Sequence, residues 1–241
     1  MKQAPFVLTI AGHDPSAGAG ITADLKTFEQ HSVYGFSVVT AITVQNDHQF
    51  LANHPVGIDV ILHQIKILME SYPIDVAKIG LVNSFDELKE IIALLKNRNP
   101  DIKIIWDPII KSSSGFNFHQ DMSIEEEILN KLFLITPNYN EYEMLKNKGI
   151  DLFKYSCLLK GGHNKEKPGT DILITNGEQT EIEGKSFHGQ SKHGTGCVLS
   201  SAISANLAHN LGILQACIQG KKYVERFILS NEGNLGFHQQ Q

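Results

Sequence analysis

Short apolar runs alternate along the chain with longer segments whose apolar residues recur every three or four positions. The short runs predict strands at 6–12 (FVLTIAG), 36–45, 76–80, 102–107, 131–136 and 157–162. The periodic segments predict helices at 19–32, 58–71, 84–97, 123–131, 139–148, 195–210 and about 213–231. In the second, Ile58, Ile61, Leu62, Ile65, Leu68 and Met69 share one face. Ser84 is a predicted N-cap with acids in the turn behind it. Asn176-Gly177 predicts the turn of a hairpin over 171–184. The 47–57 and 112–121 stretches read as loops, and KKYVER (221–226) as the solvated face of the last helix. Alternation of strand and helix predicts an α/β fold, with a mostly parallel central sheet covered by helices on both faces.

The predicted strands share a feature at their carboxyl ends. Polar or glycine residues appear as each apolar run stops: Gly12-His13-Asp14, Gln45-Asn46, Gly80, Asp107, Thr136-Pro137-Asn138 and Lys160-Gly161-Gly162. Ligands of open parallel sheets bind along this rim. Turns are polar in any case, but six such clusters in succession point to a site.

Composition narrows the function classes. The 241 residues are 41% hydrophobic and carry a net charge of −5, which fits one domain over 1–241. No stretch concentrates Lys and Arg enough for a nucleic-acid or membrane-surface partner. The apolar runs are too short to span a bilayer, and the N-terminus reads as a first strand, not a signal peptide. Cys157, Cys197 and Cys217 form no CxxC pair, consistent with a reducing, cytoplasmic setting. The eleven histidines form no metal motif, and most read as surface residues.

Two glycine loops carry the strongest chemistry. HGTGC (193–197) opens a helical run, and free N–H groups at a helix start favour an anion. Gly194, Thr195 and Gly196 are thus candidates to hold a phosphoryl group in transfer; the alternative is a plain glycine turn into a buried helix. Cys197 is a candidate base there, or a small buried hydrophobe. GHDPSAGAGITADLKTF (12–28) lacks a Walker lysine, and its GxGxxG/A match at 18–23 stands off the strand by Asp14-Pro15-Ser16. It reads as an acceptor loop with N–H groups near Gly12 and Gly20 and the Asp24 carboxylate; Asp24 otherwise reads as a solvated acid. His13 and His193 flank the two loops. Asp107 and Glu141 are candidate Mg²⁺ ligands, and Lys160 a candidate partner for ATP phosphates.

AGHDPSAGAGITADLKTF, TVQN, KIG, DPI, TPNxxE, KGGH and HGTGC, in this order, resemble the hydroxymethylpyrimidine/phosphomethylpyrimidine kinases of thiamine biosynthesis, over about residues 6–210. The resemblance implies a three-layer ribokinase-like fold, Mg²⁺ and ATP, a homodimer, and a small-molecule pyrimidine substrate. It implies that Cys197 faces the acceptor oxygen with the 194–197 backbone as anion hole. It places Gly12, Asp24, Gln45 and Ile109 at the pyrimidine, Asn138, Lys160, Gly162 and Thr195 at ATP, and Asp107 and Glu141 at the metal. A Gln45 amide complements the ring nitrogen and amine of an aminopyrimidine. The sequence departs from the family pattern at His13, Ala17, Leu81 and Lys111, and by a short 141–160 stretch. Rival readings are a pyridoxal/pyridoxine kinase of the same fold, a nicotinamide-binding oxidoreductase using the 18–23 glycines, and a non-catalytic pyrimidine sensor.

Overall fold

A computed structural model describes residues 4–109, 125–163, 167–187 and 192–239. The predicted 112–121 loop, Lys111 and the start of the 123–131 helix lie outside the described residues. The strands are β1 (Phe6–His13), β2 (Tyr34–Gln45), β3 (Phe50–Pro55), β4 (Val76–Ile79), β5 (Lys103–Trp106), β6 (Leu134–Ile135), β7 (Cys157–Leu159), β8 (Asp171–Thr175) and β9 (Glu178–Ile182). The helices are α1 (Gly20–Gln30), α2 (Ile58–Ser71), α3 (Phe85–Arg98), α4 (Glu126–Leu129), α5 (Tyr139–Asn147), α6 (Thr195–Ala208) and α7 (Ile213–Ile228).

The nine strands form one sheet in the order β3-β2-β1-β4-β5-β6-β7-β8-β9. The six from β2 to β7 in that order are parallel, and β3, β8 and β9 are antiparallel additions at the edges. The chain goes from β1 outward to β2 and β3, then returns to place β4 on the other side of β1. The β1/β4 junction is therefore a topological switch point, where loops diverge and leave a crevice.

Strand alternation divides the core into two layers. Leu8, Ala77, Ile104, Ile135 and Cys157 pack with Ile61 and Ile65 of α2, Leu88, Ile91 and Leu95 of α3, and Leu145 of α5. Their strand neighbours Val7, Val76, Ile105, Leu134 and Leu158 pack with Phe28 of α1, with α6, and with Tyr223 and Phe227 of α7. Both faces are covered, as the near-continuous apolar strands require. Helix α6 is buried from Cys197 to Leu207, lying between the sheet, α1 and α7. Small residues permit this: a Cβ at Gly220 of α7 would lie 2.7 Å from the Ile203 side chain.

Two expectations change. The 47–57 stretch is not simply a loop, because residues 50–55 pair antiparallel with β2. The Asn46 side chain closes the turn by accepting from the His48 and Gln49 N–H groups. The strand was hidden by its polar, proline-ended composition, which suits an edge strand. KKYVER is not a solvated face: Lys221 is buried and bonds Asp171 at 2.9 Å, and Tyr223 is 2% exposed. Among the described histidines only His31, at the end of α1, is buried.

Candidate active site

The period of two that sorts the apolar residues also sorts polar ones. Two positions after Val7, Val76, Ile105, Leu134 and Leu158 stand Thr9, Lys78, Asp107, Thr136 and Lys160. They make a polar row across the sheet at the rim, facing the first turns of α6. The backbone ladder runs on past the strands to hold them: Gly80 N–H donates to Ile10 O, Asp107 N–H to Ile79 O, and Thr136 N–H to Trp106 O.

Lys78 of this row pairs with Asp24 of α1. The Lys78 ammonium is wholly buried and lies 2.8 Å from each Asp24 oxygen. Thr9 Oγ1 donates to the same carboxylate at 2.6 Å and Ser201 Oγ at 2.7 Å. Asp24 is therefore neither a solvated acid nor a free ligand contact. Its side chain is 0% exposed and engaged by three others, so its place is support beneath the site. Burial alone would neutralise Lys78, but the Asp24 charge outweighs it and keeps the ammonium charged.

A second cluster stands on β5 to β7. Lys160 Nζ is 2.8 Å from Asp107 Oδ1 and 3.9 Å from Glu141 Oε2. Thr136 Oγ1 and Ser200 Oγ each donate to Asp107 at 3.2 Å. Burial raises the Asp107 pKa, but the Lys160 and Lys78 charges reverse this and hold it below the usual carboxylate range. Glu141 differs: burial, with Asp107 adding to it, pushes it up to about 7 despite Lys160. Its carboxylate accepts from the Asn138 N–H while Asn138 Oδ1 accepts from the Glu141 N–H, a reciprocal cap on α5. The Asn138 side chain is thereby committed to the helix start. Glu141 is buried and not an exposed first-turn acid.

The glycine loops meet between these clusters. Gly194 is the N-cap of α6 with φ 77°, and a Cβ there would collide with Gly18 O. At Gly20 (φ 58°) a Cβ would collide with Gly12 O, where His13 and Gly20 bridge the loop. Asp14 organises the rest: its carboxylate accepts from Ser16 N–H and Oγ and Ala19 N–H, and lies 2.8 Å from His193 Nε2. A Cβ on Gly196 would stand 3.3 Å from Lys160 Nζ and 3.7 Å from Asp107 Oδ2. Cys197 is 6% exposed. Burial pushes its thiol up to about 11, against the pull of Lys78.

Around this junction, Gln45 Nε2 donates to Thr43 Oγ1 at 2.9 Å, which donates to His13 O at 2.8 Å. Leu81 packs against Gly12, and half-buried Ile109 against Gly80. On the opposite side, a cleft of about 150 Å³ is lined by Lys160, Gly162, Lys185, Phe187, Thr195 and Val224 among others. The structure thus brings the two loops, Asp107, Glu141 and Lys160 together. Asp14, Lys78, Lys185 and Phe187 were not singled out from sequence. For Lys78 the signal was present, because a lysine inside VAKIG occupies an inward strand position.

The three-layer arrangement is the ribokinase-like fold of small-molecule kinases. The structure aligns with the pyridoxal kinase of Staphylococcus aureus in complex with pyridoxal at TM-score 0.82 and 25% identity, covering 98% of this chain and 92% of that one. It aligns with the phosphomethylpyrimidine kinase of Clostridium difficile at TM-score 0.74 and 32% identity, covering 92% and 98%. The hydroxymethylpyrimidine/phosphomethylpyrimidine kinase of Aquifex aeolicus is 32% identical over 96% of both chains. The family profile of phosphomethylpyrimidine kinase matches residues 14–240, and the chain belongs to that family.

Removing one partner of the buried pair tests the support. Lys78→Met should lower the unfolding free energy by about 3–5 kcal/mol, read by urea denaturation, and adding Asp24→Leu should recover part of it. A loss below about 1 kcal/mol, typical of exposed pairs, would contradict the burial.

Proposed function

We propose that this protein is a cytoplasmic ATP-dependent kinase that phosphorylates 4-amino-5-hydroxymethyl-2-methylpyrimidine and then its monophosphate. The observation that carries the reading is the position of residues 194–197. This turn touches the Gly18–Gly20 loop on one side and Lys160 with Asp107 on the other. Acceptor and donor sides therefore meet at one helix N-terminus, where backbone N–H groups favour phosphoryl oxygens.

In this reading the Gly162–Thr195 cleft takes the nucleotide, with Phe187 and Val224 as apolar walls and Lys185 as a cation. Lys160 pairs with phosphate oxygens. Gln45, oriented through Thr43, recognises the pyrimidine edge beside Gly12 and Ile109. Asp107 and Glu141 fit Mg²⁺, an all-oxygen ion that takes one or two carboxylates and otherwise relies on phosphates. When bound it supplies neutralisation of phosphate charge. With its thiol at about 11, Cys197 is protonated at neutral pH. In that state it orients the acceptor hydroxyl by a hydrogen bond, and the hydroxyl proton passes late to an oxygen of the transferred phosphoryl group, so no strong base is needed where the transition state is loose. Positioning and fixed charge supply most of the catalysis.

The exposed apolar side chains Ile42 and Val44 of β2 and Leu51 of β3 form the face we assign to a second copy of the chain; light scattering at the mass of one chain would exclude the dimer. No helix among the described residues is long and apolar enough to cross a membrane.

Coupled measurement of ADP release tests the chemistry. Turnover with the hydroxymethylpyrimidine is expected to exceed that with pyridoxal, and the reverse preference overturns the substrate. Cys197→Ala should lower kcat by about a hundred-fold with little change in KM; an unchanged kcat removes Cys197 from the positioning of the acceptor hydroxyl.

A further inference from the structure

Beyond α7 the chain turns back over the acceptor end of the rim. The Lys192 ammonium, in a residue 7% exposed, donates to the carbonyls of Asn231 and Gly233. His193 N–H donates to Asn234 O at 2.9 Å. The Asn234 side chain reaches Asp47 O at 3.4 Å and His48 Nδ1 at 3.2 Å, in the turn that follows Gln45. Leu235 packs against Gly18, where a Cβ would come within 2.8 Å of its methyl. Asn231 Nδ2 closes the segment on Leu235 O at 2.9 Å. Further on, His238 is pegged between α1 and α7, 3.0 Å from the Tyr223 hydroxyl and with its ring against Phe227.

Residues 231–235 thus touch three segments that are distant in sequence: the Gly18 loop, the 46–49 turn and the 192–194 entry to α6. Each of the three borders the acceptor side. None of residues 231–235 lines the cleft at Gly162 and Phe187. Chain ends are ordinarily loose unless something ties them down. A buried ammonium spent on two backbone carbonyls is a costly tie unless the geometry it fixes is used.

We propose that residues 231–235 form a strap that positions the acceptor pocket against the anion hole, with Lys192 and Asn234 as positioning residues. Lys192 fixes the strap to the α6 entry, and Asn234 carries that position across to the turn beside Gln45. The proposal rests on the acceptor assignment above for its kinetic consequence, but not for its structural one.

Asn234→Ala removes the link to the turn and leaves the backbone bond to His193 in place. Amide hydrogen exchange should rise in 43–49 and 14–20 while protection of α2 and α3 is unchanged. The KM for the pyrimidine should rise about five-fold, the factor of one ordinary hydrogen bond, with the KM for ATP and the thermal midpoint held. Lys192→Met should shift the same quantities in the same direction and further. Unchanged exchange in 43–49, or an ATP KM that rises as much as the acceptor KM, overturns the strap. If the wild-type protein does not turn over the pyrimidine, the functional reading fails and the exchange result alone decides the strap.

Discussion

The Asp24 carboxylate and the Lys78 ammonium are both removed from water, and either alone would be strongly destabilising there. Each must find the other, and the carboxylate must also fill its remaining acceptor positions. It does so with Thr9 from β1 and Ser201 from α6, so one charge pair ties β1, β4, α1 and α6 together. The switch point between β1 and β4 would otherwise be a gap between diverging loops. The pair closes its floor and sets the height of α6 above the sheet. Because α6 begins at Gly194–Thr195, that height decides where its free N–H groups stand relative to the strand ends.

The charges above this floor are graded. Asp107 is held ionised by Lys160 and Lys78, whereas Glu141 is pushed up to about 7 and the Cys197 thiol up to about 11. One ammonium thus sits between a firmly charged carboxylate and one that is easily protonated. Such a group accommodates added phosphate charge and a counter-ion without moving its scaffold, which is the condition for stabilisation by fixed charges. The neutral thiol fits beside it, since a second fixed anion would oppose an incoming phosphate. The same backbone crowding that presses Gly194 on Gly18 and Gly20 on Gly12 leaves no space for side chains where the two loops meet.

Much of this was legible from the chain. Apolar strands bounded by polar ends predicted the rim, and GTGC before a small-residue run predicted a helix starting there. Where the expectations failed, the cause was pairing that crosses the fold. Asp24 reads as a carboxylate of the acceptor loop, or else a solvated acid, until Lys78, fifty-four positions away, is brought beneath it. Lys221 reads as solvated until Asp171 of β8 meets it. Residues 50–55 have weak strand character of their own and become a strand because β2 offers a free edge. Asp14, in a loop full of small residues, gains its importance from His193, brought in from the far end of the chain.

The most direct measurement is phosphorus NMR of the purified protein with Mg-ATP and the hydroxymethylpyrimidine. Transfer across the 194–197 turn predicts ADP together with a phosphate monoester resonance, followed by the pair of resonances of a diphosphate ester. An unchanged ATP spectrum with the pyrimidine, alongside conversion of pyridoxal to its phosphate, would contradict the assignment.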